Sequence, residues 1–354
     1  MTPDLTIIVP AFNEARRLPD GMKRFEAAVA EGAVDVTRTE VVVVDDGSID
    51  GTAAAARSLL AHLPHHRVVT LPANRGKGAA VRTGVALARG AYTAYMDADM
   101  AIDPRAIPLL LEGLRSNDAA IGSRALPDSM LDGTYAVRAV MGRLFNWMVT
   151  TGTGLGLHDT QCGFKAFRTP AARLLFHLVR IDRFAFDVEI LARARRLGLR
   201  ITEVPVQWKH VAGSTIHPLH DSIGMLEDVY RSRLGLLATP PLPAVAVADP
   251  VPTSPSDRSS PGHPPPRDRL TDDVCAVVAE SLEDAPVPVM AGDAAVTVFL
   301  PLVDPERVAT VFSALRAEFA SMQVSRQSLT LDRLASFGSL SGRLRAASAP
   351  DGTV

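Results

Sequence analysis

Four short apolar runs, rich in β-branched residues and each followed by enough chain for one helix, constrain this sequence more than any other feature. They are Leu5 to Val9, Val41 to Val44, Arg67 to Leu71 and Ala91 to Met96. Runs of this length without polar alternation predict strands buried on both faces. Helical spacing follows the first run as far as about Ala30, an Ala-rich helix follows the second, and Ala79 to Ala88 follows the third. Pro104 suits the first turn of the next helix. Strands alternating with helices in this way predict an α/β domain, Rossmann-like, with a mostly parallel sheet covered by helices on both faces. Ligands of such sheets bind beyond the carboxyl ends of the strands.

The residues at those strand ends are chemically distinctive. Pro10-Ala-Phe-Asn13-Glu14 follows the first strand and Asp45-Asp46-Gly47-Ser48-Ile-Asp50 the second, where Ser48 or Asp50 could cap the next helix. Asn74-Arg-Gly76-Lys77-Gly78 follows the third, and Asp97-Ala98-Asp99 the fourth. Two carboxylates one residue apart at a fraying strand end can turn toward one ion. Magnesium and manganese take such oxygen ligands together with substrate phosphates. Asp97 and Asp99 are therefore candidates to hold Mg²⁺ or Mn²⁺ against the diphosphate of a nucleotide-sugar; the alternative is that they cap the Pro104 helix. Asp45 and Asp46 could accept hydrogen bonds from base or ribose, or could only form the turn before Gly47. Lys77 stands between two glycines that let backbone approach a phosphate, while its ammonium supplies charge. The alternative is a surface lysine in a turn. No P-loop pattern is present, and Val81 stands where the third glycine of a dinucleotide fingerprint belongs.

The rest of the chain narrows the class. A formal net charge of −2 over 354 residues gives no footprint for nucleic acid. The only cysteines, Cys162 and Cys275, are far apart, so a disulfide framework is not expected and a reducing compartment is. No signal peptide and no run of about 18 apolar residues is read. The expected location is the cytoplasm, or the cytoplasmic face of a membrane as a peripheral protein. Tyr135–Thr150 has one apolar stripe flanked by Arg138, Arg143 and Trp147, which suits a core-facing helix or an interfacial one. A helix is expected from about Leu219 to Leu237, with His210, His217 and His220 nearby. Residues 1–238 read as one domain. The Pro- and Ser-rich stretch 239–270 reads as a disordered linker, and 271–354 as a small α+β module of unknown role.

Taken in order, these blocks closely resemble the family 2 glycosyltransferases of GT-A fold. Ile121-Gly-Ser-Arg124, Phe145-Asn146, Asp159-Thr-Gln-Cys-Gly-Phe-Lys165 and Phe186-Asp187-Val-Glu look most like the polyprenyl-phosphate sugar transferases within that family. The dolichyl-phosphate β-glucosyltransferase type is nearest, and the resemblance covers roughly Leu5 to Arg233. It implies an inverting, metal-dependent hexosyl transfer, with UDP-glucose as donor and a polyprenyl phosphate as acceptor. GDP-mannose is the alternative donor. Membrane helices common among such proteins are not found here, which keeps a soluble sugar or metabolite as the alternative acceptor. A nucleotidyltransferase and a non-catalytic nucleotide-sugar scaffold are the rival classes.

The resemblance also places Pro10, Asn13, Glu14, Asp45, Asp46, Lys77, Asp97 and Ala98 at the nucleotide-sugar. Arg124 and Lys165, with Arg138, are cationic candidates for the acceptor phosphate; for Arg124 and Arg138 the alternative is a salt bridge to a nearby carboxylate. Asp159 is the first candidate for a general base and Asp187 the second. A phosphomonoester has its second pKa near 6, so a lipid phosphate needs less help from a base than a sugar hydroxyl does.

Overall fold

A computed structural model describes residues 3–132, 154–209, 211, 224, 227–228, 230–231, 242–248, 267–282, 287–291, 295–329, 334, 340 and 344–347. The four apolar runs form β1 (Leu5–Ala11), β2 (Thr39–Asp45), β3 (His66–Thr70) and β4 (Tyr92–Met96). Between them lie α1 (Leu18–Ala30), α2 (Thr52–Leu60) and α3 (Lys77–Leu87). The β1–β2, β1–β4 and β2–β3 ladders are parallel. Downstream come α4 (Ile107–Gly113), β5 (Ala119–Ser123), the short β6 (Met130–Asp132), β7 (Phe164–Arg168), α5 (Thr169–Leu178), α6 (Phe186–Arg196), β8 (Ile201–Pro205) and β9 (Gln207–Lys209). The main sheet runs β3-β2-β1-β4-β7-β5-β8, and β7 is antiparallel to both its neighbours.

Successive strand side chains point to opposite faces, and each face buries its own set. Ile7, Val9, Val41 and Val43 pack with Leu18, Met22 and Phe25 of α1, Leu60 of α2 and Leu110 of α4. On the other side, Ile8, Val42 and Val44 meet Val81 and Val85 of α3, Phe176 of α5 and Ile190 of α6. Full burial of a side chain such as Phe25 or Phe176 stabilises the fold by about 2 kcal/mol. An aromatic cluster of Tyr95, Phe167, Phe176 and Phe186 fills the centre of this second face, with ring centroids 5.7 to 6.3 Å apart. It clamps Tyr95 so that the hydroxyl points at Asp187.

The C-terminal part adds β10 (Leu242–Ala248), α7 (Arg267–Ser281), β11 (Val287–Ala291), β12 (Ala295–Phe299), α8 (Pro305–Glu318), β13 (Gln323–Leu329) and β14 (Leu344–Ala347). Its antiparallel sheet runs β13-β10-β12-β11-β14, a split βαβ arrangement with one strand added at the edge. Val245, Val247, Val289 and Val298 pack with Val274 and Val278 of α7 and with Leu315 of α8. From the opposite face, Leu242, Ala244, Met290 and Phe299 join the same core as α5 and α6 of the first sheet.

The linker reading is corrected at 242–248, which form a strand between two partners, and α7 starts at Arg267 rather than beyond 270. Composition misled there because Leu-Pro-Ala-Val-Ala-Val-Ala carries few large side chains. Small residues suffice for a strand covered on both faces, and Pro243 near its start is tolerated. Tyr135–Thr150, Arg138, His210, His217 and His220 lie outside the described residues, and the helix expected over 219–237 is described only at 224, 227–228 and 230–231, which are helical. Among the described residues no helix is long and apolar enough to cross a membrane.

Candidate active site

The loops leaving β1, β2 and β4 converge with the start of α3 on a cavity of about 680 Å³. Pro10, Asn13, Glu14, Asp46, Lys77, Asp97, Ala98, Asp99, Arg124 and Asp187 all line it, whereas Asp45, Asp159 and Lys165 do not.

The side of the cavity built by the loops after β1 and β2 is knitted by local hydrogen bonds. Asn13 adopts a left-handed conformation with φ +55°, which asparagine tolerates better than most residues. Its N–H donates to Ser48 Oγ at 2.9 Å and its Oδ1 accepts from Ile49 N–H at 3.1 Å. The Glu14 N–H donates to Thr52 Oγ1 at 2.8 Å. Asp50 Oδ1 accepts from the Thr52 N–H at 3.1 Å, but the N-cap of α2 is Gly51, so the expectation of Ser48 or Asp50 as the cap is corrected. Asp45 Oδ1 accepts from the Ser48 N–H at 3.1 Å, closing the turn. Asp46 takes both N–H groups of the next loop, Arg75 at 2.9 Å and Gly76 at 2.7 Å. Burial nonetheless leaves the Asp46 pKa above the ordinary aspartate value, against those two hydrogen bonds. Gly76 has φ +110°, and a Cβ there would lie 3.0 Å from the Asp182 carbonyl carbon. Glycine is required at that turn, which sets the first residue of α3, Lys77, into the cavity.

Lys77 Nζ meets Asp97 Oδ1 at 2.5 Å. Burial works against the ammonium, but Asp97 and Asp187 outweigh it and hold its pKa above the ordinary lysine value. Asp99 Oδ2 accepts from Arg17 Nη1 at 3.2 Å, and Arg17 also pairs with Glu14. Burial raises the Asp99 pKa, helped by the neighbouring Asp97 charge. The carboxyl of Glu14 is pushed up to about 7, chiefly by burial, against the pull of Arg17. Its Oε2 is buried and finds no donor. The helix-capping alternative for Asp97 and Asp99 fails, because the cap ahead of Pro104 is Asp103, which accepts from the Arg105 N–H. Among the described residues no group of three or more candidate ligands gathers, so the protein's share of a metal site would be the two hard-oxygen carboxylates of Asp97 and Asp99 on the cavity. That pair fits a divalent cation such as Mg²⁺ or Mn²⁺.

Also on the cavity, Arg124 grips Asp159 through Nε at 2.7 Å and Nη2 at 3.0 Å, while its backbone N–H donates at 3.0 Å to Oδ2. Burial would raise the Asp159 pKa, but the Arg124 charge and hydrogen bonds prevail and hold it below the ordinary value. Such a carboxylate is a poor proton acceptor, and it lies off the cavity wall; this geometry makes Asp159 the partner of Arg124 and lends the expectation of a general base no support. Asp187 accepts from Lys165 Nζ and Tyr95 Oη, a buried cluster in which Lys165 also donates to the Cys162 carbonyl at 2.6 Å. Lys165 is fully buried, so the expectation that it meets an acceptor phosphate is corrected too: it holds Asp187 in place.

Comparison with known proteins fits this geometry. The family model described as "Glycosyl transferase family 2" matches residues 6–176. Dolichyl-phosphate beta-glucosyltransferase of Dictyostelium discoideum is 38% identical over 245 residues, covering 66% of this chain and 75% of that protein. This chain belongs to glycosyl transferase family 2. The enzyme of the same name from Drosophila melanogaster is 37% identical, over 64% of this glycosyltransferase and 73% of that one. Among solved structures, glucosyl-3-phosphoglycerate synthase of Mycobacterium tuberculosis, in complex with Mn²⁺ and UDP-glucose, shares the fold with a TM-score of 0.50 at 20% identity. That match covers 66% of this chain and 79% of that one.

Several residues of this glycosyltransferase site carry little signal in sequence. Arg17 looks like one more helix-face cation, yet it bridges Glu14 and Asp99. Gly163 was visible only as part of a motif, but its α-carbon faces the Asp97 carboxylate so closely that a Cβ would overlap it. Trp208 and Ile102 also line the cavity, brought together by an isolated antiparallel bridge. Only the paired sheet shows these contacts.

Proposed function

We propose that this glycosyltransferase moves glucose from UDP-glucose to a polyprenyl phosphate by a single inverting displacement that depends on Mg²⁺ or Mn²⁺. The observation that carries this reading is the Asp97–Lys77 pair beside Asp99, on the same cavity as Arg124. That cavity offers an acidic pair and an ammonium for a diphosphate, and a guanidinium for a second phosphate. Asp97 and Asp99 would hold the cation, which, when bound, neutralises charge on the departing β-phosphate. Lys77 stabilises the same charge directly. Asn13, Glu14 and Asp46 line the nucleoside end.

In the reaction, a phosphate oxygen of the acceptor forms the bond to the anomeric carbon as the bond from that carbon to the β-phosphate oxygen breaks, and UDP departs. Arg124, fixed by Asp159, orients the acceptor phosphate bidentately. Since a phosphomonoester is mostly dianionic at neutral pH, the step needs no strong base. The engagement of both Asp159 and Asp187 by cations supports that view. A lipid acceptor would bring the protein to the cytoplasmic membrane face as a peripheral enzyme, with 1–238 as the transferase domain and the C-terminal module appended to it.

The test is purified protein with Mn²⁺ or Mg²⁺, UDP-glucose labelled in the sugar, and a polyprenyl phosphate. Label should move to the organic phase with release of UDP, and a chelator or Asp97→Ala should stop it. Label found instead on a water-soluble phosphorylated acceptor would refute the lipid assignment. Turnover of GDP-mannose in preference would refute the donor.

A further inference from the structure

We infer that the side-chain amide of Gln161 reads a hydroxyl group of the donor hexose, and so sets which sugar is transferred; this rests on the donor reading above. Gln161 lines the cavity, and its Nε2 is shielded from solvent without any hydrogen-bond partner. A buried amide donor left unpaired is costly, and buried polar side chains are paired in most folded proteins. A ligand in the cavity would supply the missing acceptor.

The position of this amide narrows what the ligand group is. Two residues after Gln161, Gly163 abuts the Asp97 carboxylate, at the leaving-group end. Two residues before it, Asp159 holds Arg124, at the acceptor end. The transferred hexose must lie between these ends, since its anomeric carbon bonds to one phosphate and then to the other. The loop carrying the amide is held at both sides. The Gln161 N–H donates to Asp159 Oδ1 at 3.2 Å, and the next carbonyl, that of Cys162, accepts from buried Lys165. A primary amide on a loop whose backbone is held in this way, with both donors and an acceptor, matches a hydroxyl, which also donates and accepts. Sites built to hydrogen-bond a hydroxyl discriminate strongly against analogues that lack it.

The experiment compares binding of UDP and UDP-glucose to wild type, Gln161→Leu and Gln161→Glu by calorimetry with Mn²⁺ present. UDP affinity serves as the control for folding and for the nucleotide end. Both variants should bind UDP within about twofold of wild type and UDP-glucose at least about tenfold more weakly, the scale of one hydrogen bond to a neutral group. With the four singly deoxygenated UDP-glucoses, wild type should reject one analogue far more than the rest, and Gln161→Leu should lose that preference. Parallel loss of UDP and UDP-glucose affinity, or unchanged UDP-glucose affinity, would overturn the inference. Wild type that binds neither nucleotide would refute the donor reading itself, and this inference with it.

Discussion

A methyl group built on the α-carbon of Gly163 would lie 2.6 Å from Cγ of Asp97. The backbone of one loop thus forms the floor under the carboxylate of another, and only glycine leaves room for it. Gly163→Ala should push Asp97 off Lys77 and out of line with Asp99. Displacements of about 1 Å at reacting groups cost on the order of a hundredfold in rate, so kcat/KM should fall by about that factor. The Mn²⁺ concentration for half-maximal activity should rise, while thermal stability changes little. Steady-state rates across a Mn²⁺ titration check this, and a variant with wild-type metal response would refute it.

Lys165 and Asp187 make a buried ion pair completed by Tyr95. Burial and the adjacent Asp187 charge keep the Tyr95 phenol protonated far above its ordinary pKa, so it stays a donor to that carboxylate. Removing one partner of such a pair leaves the other charge buried, at a cost of about 3–5 kcal/mol. Lys165→Met should lose about that much in urea denaturation, and Lys165→Met with Asp187→Leu should recover a large part of it. A single variant within about 1 kcal/mol of wild type would show that water reaches the pair.

Much of this is legible in the sequence, and the exceptions have physical reasons. β1, β2 and β4 announce themselves because parallel strands buried on both faces must be continuous apolar runs, whereas β3, at the sheet edge, is only partly buried. The carboxylates and Lys77 fall at their carboxyl ends, where α/β sheets bind ligands. What stayed hidden depends on pairing across long stretches of chain. β7 reads Phe-Lys-Ala-Phe-Arg, and its lysine argues against a buried strand until Asp187 is seen beside it. Asp159 looks like a base because sequence shows a carboxylate without its partner, Arg124, 35 residues earlier.

Glu14 gives the enzyme a pH signature. Its carboxyl is raised from 4.5 to about 7, chiefly by burial, so between those values the folded chain holds a proton that the unfolded chain has released. Stability contributed by this group is therefore fully present at low pH and lost as pH rises toward about 7. The change amounts to about 3 kcal/mol in total. Glu14→Gln mimics the protonated form, so its stability advantage over wild type should grow from near zero at pH 4 to its maximum above pH 8. Urea midpoints measured for both proteins across that range decide the matter; a difference independent of pH would refute the assignment.

The Arg124–Asp159 pair predicts a different kinetic pattern from a general base. Asp159→Asn removes the charge that fixes the guanidinium, and should raise the KM for polyprenyl phosphate about tenfold or more while leaving the KM for UDP-glucose unchanged. Arg124→Lys should do the same, since a lysine lacks the planar fork. The acidic limb of the kcat profile should stay where it is in wild type. If Asp159→Asn instead lowers kcat severely and abolishes that limb, the carboxylate is the base after all.

The C-terminal module shares a core with the transferase part, and this ties their stabilities together. Phe299 of β12 is fully buried in the cluster that contains Leu175 and Phe176 of α5. Truncating a buried phenylalanine typically costs about 3–5 kcal/mol. If the two parts unfold as one unit, Phe299→Ala should lower the midpoint seen by every probe equally. The two tryptophans, Trp147 and Trp208, both precede the module, so their fluorescence reports on the transferase part alone, whereas far-UV circular dichroism reports on both. Coincident denaturation curves, shifted together by Phe299→Ala, are the expected result. A tryptophan transition that keeps its wild-type midpoint while circular dichroism shows an earlier phase would mean that the module opens independently and contributes nothing to the helix beneath it.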